Sequence, residues 1–124
     1  MLIIDSNIWA YYFDRNAPEH RFVVDKVEKA LTTGKIAMNT VIIVEVAHFL
    51  IKNLGAATGR EEVNAFLSFP FIVVDLTHDL ALRTIEHLTR YSHLGIGGRD
   101  ATILATMEIL DLNQIMTMIK RSKG

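Results

Sequence analysis

The sequence contains no cysteine and only two prolines among its 124 residues. The lack of cysteine excludes a disulfide framework and a thiolate zinc site, and it favours a reducing compartment. No cluster of glycine, serine and proline is long enough to form a linker, and no internal repeat interrupts the chain. We therefore expect a single domain over residues 1–124, which is long enough to bury one hydrophobic core.

Positive charge is also scarce, because 13 lysines and arginines are offset by 14 acidic residues to give a net charge of −1. A protein that coats nucleic acid usually carries a basic excess or a basic stripe, so this balance argues against a purely nucleic-acid-binding role. The balance is compatible with an enzyme that brings a nucleic-acid substrate to a bound cation.

The sequence lacks an export signal and a membrane span. Its N-terminus has no basic stretch followed by a long apolar core. The most apolar window, residues 41–51, is interrupted by Glu45 and His48 and is too short to cross a bilayer. We therefore predict a cytoplasmic protein that does not associate with membranes.

Short apolar runs alternate with segments of helical periodicity along the chain. The predicted strands are residues 2–4, 35–38, 71–74 and 114–117. Residues 6–13 are predicted to form a helix or a turn. The predicted helices are residues 19–31, 40–52, 60–67, 78–90 and 99–110, with Thr40 and Thr77 as caps. Strands that are apolar on both faces and alternate with helices indicate an α/β fold, in which helices cover both faces of a mainly parallel sheet.

In such a sheet, ligands bind beyond the carboxyl ends of the strands, so polar residues at that edge are candidates for a functional site. Asp5 directly follows the first predicted strand, and Asp100 opens the last predicted helix. Each aspartate taken alone is better explained by helix capping or by stabilisation of the helix dipole.

Glu45 lies in the middle of a predicted helix that has almost no polar face. A carboxylate in such a helix is expected to be partly buried, and burial of an unpaired charge is costly. Glu45 therefore needs a cation, a hydrogen-bond donor or a proton nearby. Two explanations for Glu45 remain open. It could form an ion pair with Lys52 or with a distant arginine, or it could belong to a functional site.

Asp5, Glu45 and Asp100 together form a candidate cluster at one edge of the predicted sheet. Carboxylates that converge repel one another unless a hard cation lies between them, and Mg²⁺ or Mn²⁺ is the usual choice. Such an ion orients a water molecule, lowers its pKa and neutralises charge on a phosphodiester. The spacing of three acidic residues is by itself a weak signal.

The segments around these residues have a more specific form. Residues 2–9 are Leu-Ile-Ile-Asp-Ser-Asn-Ile-Trp, an apolar strand followed by an acidic residue and Ser-Asn. Glu45 lies in the helix after the second strand, and residues 99–106 are Arg-Asp-Ala-Thr-Ile-Leu-Ala-Thr. In these segments, taken in this order over nearly the whole chain, the sequence resembles the PIN-domain family, especially its VapC-type toxin ribonucleases.

The resemblance implies a Rossmann-like α/β/α sandwich and an endoribonuclease that depends on Mg²⁺ or Mn²⁺ to cleave RNA. It implies that Asp5, Glu45 and Asp100 are the catalytic, metal-binding carboxylates and that Asn7 supports the first of them. It also implies the toxin of a toxin–antitoxin pair, with a small antitoxin protein as its inhibitor and a homodimer as its assembly.

The C-terminal segment departs from the family's pattern. The family carries a fourth acidic residue after the last strand, in a Thr-x-Asp pattern, whereas here Thr117 is retained and Ile119 stands at the acidic position. Asp111 precedes the last predicted strand, so we expect it toward the opposite edge of the sheet. The chain also stops short of the family's usual final strand, and a truncated, an altered and a naturally degenerate C-terminus are all compatible with this. Three carboxylates would hold one metal ion more weakly than four.

Other polar and aromatic segments carry weaker signals. Residues 95–98 are predicted to be a flexible approach to Asp100, because they lack the Gly-Lys-Ser/Thr ending of a phosphate-binding loop. Arg99 is a candidate for contacting a substrate phosphate, against the default of a surface arginine. The aromatic residues at 9–13 are better explained by core packing or a partner interface than by base stacking.

Two functions of different classes follow from the sequence. The first is a metal-dependent endoribonuclease that acts through Asp5, Glu45 and Asp100. The second, motivated by Ile119, is a catalytically degenerate PIN domain that acts as a protein- or RNA-binding module. A nucleotide-binding domain is disfavoured, because no glycine fingerprint follows the first strand.

Overall fold

The structure, a computed structural model, describes residues 1–117. Its sheet is parallel throughout and has the strand order β3-β2-β1-β4, with β1 at Leu2–Ile4, β2 at Ile36–Asn39, β3 at Ile72–Val74 and β4 at Ile115–Met116. The helices are α1 (Ser6–Phe13), α2 (His20–Thr33), α3 (Thr40–Leu54), α4 (Ala56–Leu67), α5 (His78–Arg90) and α6 (Gly98–Leu110). Within the described range, no helix has both the length and the apolar character that crossing a membrane requires.

The order of the strands fixes where a ligand site can form. The chain passes from β1 to β2 and on to β3 through α1 to α4, and it then returns through α5 and α6 to β4 on the far side of β1. Because such crossovers are right-handed, α1 to α4 lie on one face and α5 and α6 on the other. The predicted α/β/α architecture is confirmed. The direction of the strand order reverses between β1 and β4, which is where open parallel sheets bind ligands.

The core lies on both faces of the central strands. Ile3, Ile4 and Met38 are fully buried, as expected for strands that are covered on both sides. Trp9 on α1 is also fully buried, and its ring centroid lies 5.2 Å from that of Phe66 and 5.3 Å from that of Phe71. Core packing is therefore confirmed as the main role of the aromatic run that Trp9 opens.

Two sequence-based expectations about α3 and α4 were wrong. The predicted helix at residues 60–67 begins at Ala56, because the glycine at 59 does not interrupt it. A Cβ on Gly59 would lie 2.6 Å from the Cα of Ile51, so this glycine allows α4 to pack closely against α3. The cap of α3 is Asn39 rather than Thr40, since the Asn39 side chain accepts a hydrogen bond from the Ile42 amide.

Candidate functional site

Asp5 lies at the carboxyl end of β1, next to the point where the strand order reverses. It is the N-cap of α1, and its Oδ1 accepts a 2.7 Å hydrogen bond from the backbone amide of Ser6. Its amide donates to the carbonyl of Met116 on β4, and the residue is only 4% exposed. The capping role proposed for Asp5 is therefore real, and it fixes a nearly buried carboxylate at this edge of the sheet.

Glu45 approaches the same edge from α3. The Asn39 cap begins α3 directly after β2, which places Glu45 in the second turn of the helix. The hydroxyl oxygen of Ser6 lies 3.4 Å from Oδ1 of Asp5 and 3.4 Å from Oε2 of Glu45, so it lies between the two carboxylates and can donate its single hydrogen to either. Glu45 is partly buried, as its apolar neighbours predict, and its side chain is 34% exposed.

Asp100 and Arg99 lie in the first turn of α6. The Asp100 side chain is half exposed, and a carboxylate at this position is favoured by the positive end of the helix dipole. The cap of α6 is Gly97, so Asp100 stabilises the first turn without capping it.

The guanidinium of Arg99 joins all three acidic residues. Its Nη1 lies 3.3 Å from Oε2 of Glu45, its Nε lies 3.7 Å from Oδ1 of Asp5, and its Nη2 lies 3.7 Å from Oδ1 of Asp100. Burial lowers the pKa of Arg99, but the charge of Asp5 and the hydrogen bond and charge of Glu45 outweigh that effect and raise the pKa above its ordinary value. The cation that Glu45 requires is therefore Arg99, and not Lys52.

A neutral hydrogen-bonded cluster lies beneath this charged one, and sequence analysis missed it. The fully buried Asn39 donates through Nδ2 to the hydroxyls of Thr102 (3.3 Å) and Thr106 (3.0 Å) on α6. The Thr102 hydroxyl donates in turn to the carbonyl of Arg99 at 2.6 Å. Asn39 therefore links the helix that carries Glu45 to the helix that carries Arg99 and Asp100. The sequence did contain one signal of this cluster, because Asn39 is a polar residue at the junction between an apolar strand and an apolar helix.

The supporting residues are close to the same place. The Thr117 hydroxyl donates to Oδ2 of Asp5 at 3.4 Å. Asn7 lines a hollow of about 140 Å³ together with Glu45 and Arg99, and its buried Oδ1 finds no hydrogen-bond partner among residues 1–117. Ile119, the position of the expected fourth acid, lies outside the described residues. Asp111 ends α6 ahead of β4, as expected.

The chemistry of this cluster suits a hard divalent ion, but its present arrangement does not form a cage for one. The cluster offers carboxylate and hydroxyl oxygens, the ligands that Mg²⁺ and Mn²⁺ prefer. Within the described chain, no three acidic or histidine side chains lie close enough together to hold one ion. The three carboxylates are instead gathered around the guanidinium of Arg99.

Comparison with known proteins gives a family match over nearly the whole chain. The family model described as "PIN domain" matches residues 2–118. No curated protein sequence matches the chain.

Three solved structures share the fold. VapC20 of Mycobacterium tuberculosis, described as a sarcin-ricin loop cleaving toxin, aligns with a TM-score of 0.76 at 17% identity and covers 93% of this chain and 87% of its own. VapBC2 of Rickettsia felis, bound to a DNA fragment from its promoter, aligns with a TM-score of 0.72 at 17% identity, over 96% and 88%. A toxin–antitoxin complex from Klebsiella pneumoniae aligns with a TM-score of 0.64 at 20% identity, over 94% and 85%.

Proposed function

Since this chain belongs to the PIN domain family, we propose that it is a metal-dependent endoribonuclease and the toxin of a toxin–antitoxin pair. The observation that carries this proposal is the convergence of Asp5, Glu45 and Asp100 on one guanidinium at the carboxyl edge of the sheet. Three elements that are distant in sequence contribute these carboxylates to one place.

The burial of Asp5 supports a role beyond stability. A carboxylate that is 4% exposed, with a second carboxylate near the same hydroxyl, accumulates negative charge in a poorly solvated place. Sites with such charge usually hold a cation that compensates it. Asp5, Glu45 and Asp100 would hold Mg²⁺ or Mn²⁺ in this role, with the hydroxyls of Ser6 and Thr117 orienting Asp5.

A bound divalent ion would supply an activated water molecule and would stabilise negative charge on the phosphate. The protein's own groups have separate tasks. Asp5 and Glu45 would fix the position of the cation, and Asp100, which is half exposed, would add a third carboxylate at the mouth of the site. Asn7 and Arg99 border the hollow beside Glu45, so they would orient the scissile phosphate through their donors.

The proposed partners follow from the relatives. Two of the similar structures are described as VapBC or toxin–antitoxin proteins, which supports a small antitoxin protein as the inhibitor of this chain. The description of VapC20 as a toxin that cleaves the sarcin-ricin loop supports RNA as the substrate class. We propose in addition that the protein acts in the cytoplasm and forms a homodimer.

A second candidate function is a catalytically degenerate domain that binds RNA or protein. It is favoured by one observation, that no three potential ligands within residues 1–117 are arranged to hold an ion. In that case the Arg99 cluster would serve only to keep the edge of the sheet intact.

An RNA cleavage assay tests the proposed function. The purified protein is incubated with single-stranded and structured RNAs in the presence of EDTA, Mg²⁺ or Mn²⁺. We expect cleavage only with metal, and we expect Asp5→Asn to reduce its rate by more than about a hundred-fold, since a ligand of the cation is lost.

The matched control is Asp111→Asn, which makes the same chemical change away from the cluster. Asp111 has a φ of 54°, and asparagine tolerates this left-handed conformation, so the control is expected to fold and to cleave normally. Absence of cleavage with every metal, from a protein that is folded by circular dichroism, would overturn the nuclease and favour the binding module.

A further inference from the structure

Arg99 holds an unusual position for an arginine next to a candidate metal site. Its guanidinium contacts a carboxylate from each of three elements, within 3.3 to 3.7 Å. Every side-chain ion pair of Glu45 and Asp5 in the described structure is made with this one residue. Arg99 is therefore the cation that compensates the charge of these carboxylates in the described structure.

The fit between the guanidinium and the carboxylates is loose. Charge-assisted hydrogen bonds between arginine and carboxylate usually measure about 2.7–2.9 Å and are often bidentate. Here the closest contact is 3.3 Å, each carboxylate is reached through a different nitrogen, and the buried Nε makes no hydrogen bond within the described part of the chain. The geometry is that of one cation shared among three acids rather than of one optimised pair.

The charges in the cluster do not balance. Three carboxylates carry a formal charge of −3 and the guanidinium carries +1, which leaves −2 for Asp5, Glu45, Asp100 and Arg99 taken together. A divalent cation supplies the missing charge. A guanidinium is charged at any ordinary pH, and this one lies within 4 Å of all three carboxylates, so it would repel such an ion unless it moved away.

Arg99 also contacts acidic residues that line two different hollows. One, of about 140 Å³, is lined by Ser6, Asn7, Glu45 and Arg99 itself, among others. The other, of about 260 Å³, is lined by Asp5, Asp100 and Thr117, among others. Arg99 therefore contacts Glu45 in the first hollow and both Asp5 and Asp100 in the second, through three different nitrogens of one guanidinium.

We infer that Arg99 is a built-in competitor of the divalent ion: it stabilises the acidic cluster when metal is absent and must leave the cluster when metal binds. The inference rests on the metal site of the proposed function. Arg99 thereby sets the metal concentration at which the site becomes occupied. Arg99 is a positioning residue in this role, since it acts through the carboxylates.

The test measures metal binding and metal-free stability without RNA. Mn²⁺ affinity is determined by isothermal titration calorimetry for the unchanged protein and for Arg99→Gln. We expect Arg99→Gln to bind Mn²⁺ at least about ten-fold more tightly, because the competing charge lies within 4 Å of the ligands. In EDTA, we expect the variant to melt about 4 °C or more below the unchanged protein, with Mn²⁺ restoring most of that difference.

Two further variants separate competition from simpler explanations. Lys52→Gln removes one exposed positive charge from the same helix as Glu45, and it should change Mn²⁺ affinity by less than about two-fold, since exposed charges are screened. Arg99→Lys keeps the charge but cannot reach three carboxylates at once, so its affinity should lie between those of the unchanged protein and Arg99→Gln.

The outcomes distinguish failure of this inference from failure of the proposed function. If the unchanged protein and all variants bind no Mn²⁺, the metal site itself is wrong and the inference falls with it. If they bind Mn²⁺ and Arg99→Gln binds it equally or more weakly, the metal site stands and competition by Arg99 is wrong. A metal-free melting temperature that is unchanged in Arg99→Gln would also overturn the role as counter-cation.

Discussion

Two polar clusters meet at the start of α6, and they are built in opposite ways. The neutral cluster of Asn39, Thr102 and Thr106 is enclosed, and its amide and hydroxyl groups make hydrogen bonds of 2.6 to 3.3 Å. The charged cluster around Arg99 is partly open to solvent, its ion pairs measure 3.3 to 3.7 Å, and one buried nitrogen lacks a hydrogen bond among the described residues.

This difference in hydrogen bonding and solvent exposure indicates that the neutral cluster stabilises the edge of the sheet, while the charged cluster can rearrange. Buried neutral groups with all their partners are costly to disturb, because any loss leaves an unsatisfied group. Loose ion pairs that solvent can reach are easier to rearrange, so one cation can replace another there as long as the carboxylates keep a counter-charge. The neutral cluster therefore anchors α3 and α6, while the charged cluster remains available for function.

The largest expected effect comes from breaking the neutral cluster. Asn39→Ala removes the cap of α3 and two bonds to α6, so we expect the free energy of unfolding to fall by about 3 kcal/mol. Urea denaturation measures the change. The control is Asn53→Ala, an exposed asparagine that bonds only within its own helix, which should cost less than about 0.5 kcal/mol. Equal losses for the two variants would show that Asn39 is not an anchor.

A smaller effect is expected when one hydroxyl of the same cluster is removed. Thr106→Val keeps the shape of the side chain but deprives Asn39 of its 3.0 Å acceptor, and we expect a loss of about 1–2 kcal/mol in urea. Thr84→Val is the comparison, because the Thr84 hydroxyl bonds only to the carbonyl of Leu80 on its own helix. A loss for Thr106→Val no greater than that for Thr84→Val would contradict the role assigned to the Asn39 bond.

A substitution in the charged cluster should change stability little and Mn²⁺ affinity strongly. Glu45→Gln retains the packing of α3, and the side chain is 34% exposed, so we expect the free energy of unfolding to change by less than about 1 kcal/mol. If Glu45 is a ligand of the ion, as proposed, the Mn²⁺ affinity of the variant in calorimetry should fall by about ten-fold or more. Glu61→Gln, on the exposed side of α4, should leave both quantities unchanged. A loss of more than about 2 kcal/mol in the free energy of unfolding would show that Glu45 has a structural role, and it would contradict the distinction between the two clusters.

Local signals in the sequence were enough for much of the fold. The bounds of β1, α1 and α5 were predicted to the residue, because Asp5 and Thr77 provide caps and the strand is a short apolar run. The start of α4 was missed because a glycine inside a helix reads as a break. Only the close contact with Ile51 explains why Gly59 is there.

The candidate site was predicted in part for the same reason. The three acidic residues could be proposed because each is a charged residue next to or within an apolar segment. They also occur in the order expected from the resemblance to the PIN-domain family: Asp5, Glu45 and Asp100. The central position of Arg99 could not be predicted, since its partners Asp5 and Glu45 are 94 and 54 positions away. The buried Asn39 was missed likewise, because its partners on α6 are 63 and 67 positions away.

The smallest effect on stability is expected for Thr117, and its substitution tests whether this residue belongs to the charged cluster. The exposed Thr117 donates a long hydrogen bond of 3.4 Å to Oδ2 of Asp5, so Thr117→Val should change the free energy of unfolding by no more than about 0.5 kcal/mol. If that bond orients Asp5 toward a cation, Mn²⁺ affinity should fall by up to about ten-fold, because groups that orient a ligand tune the affinity of the site. Thr89→Val, an exposed threonine that bonds to the Ile85 carbonyl, should alter neither quantity. Unchanged Mn²⁺ affinity in Thr117→Val would mean that the contacts of Asp5 with Ser6 and Arg99 are enough to orient it, and Thr117 would then belong to neither cluster.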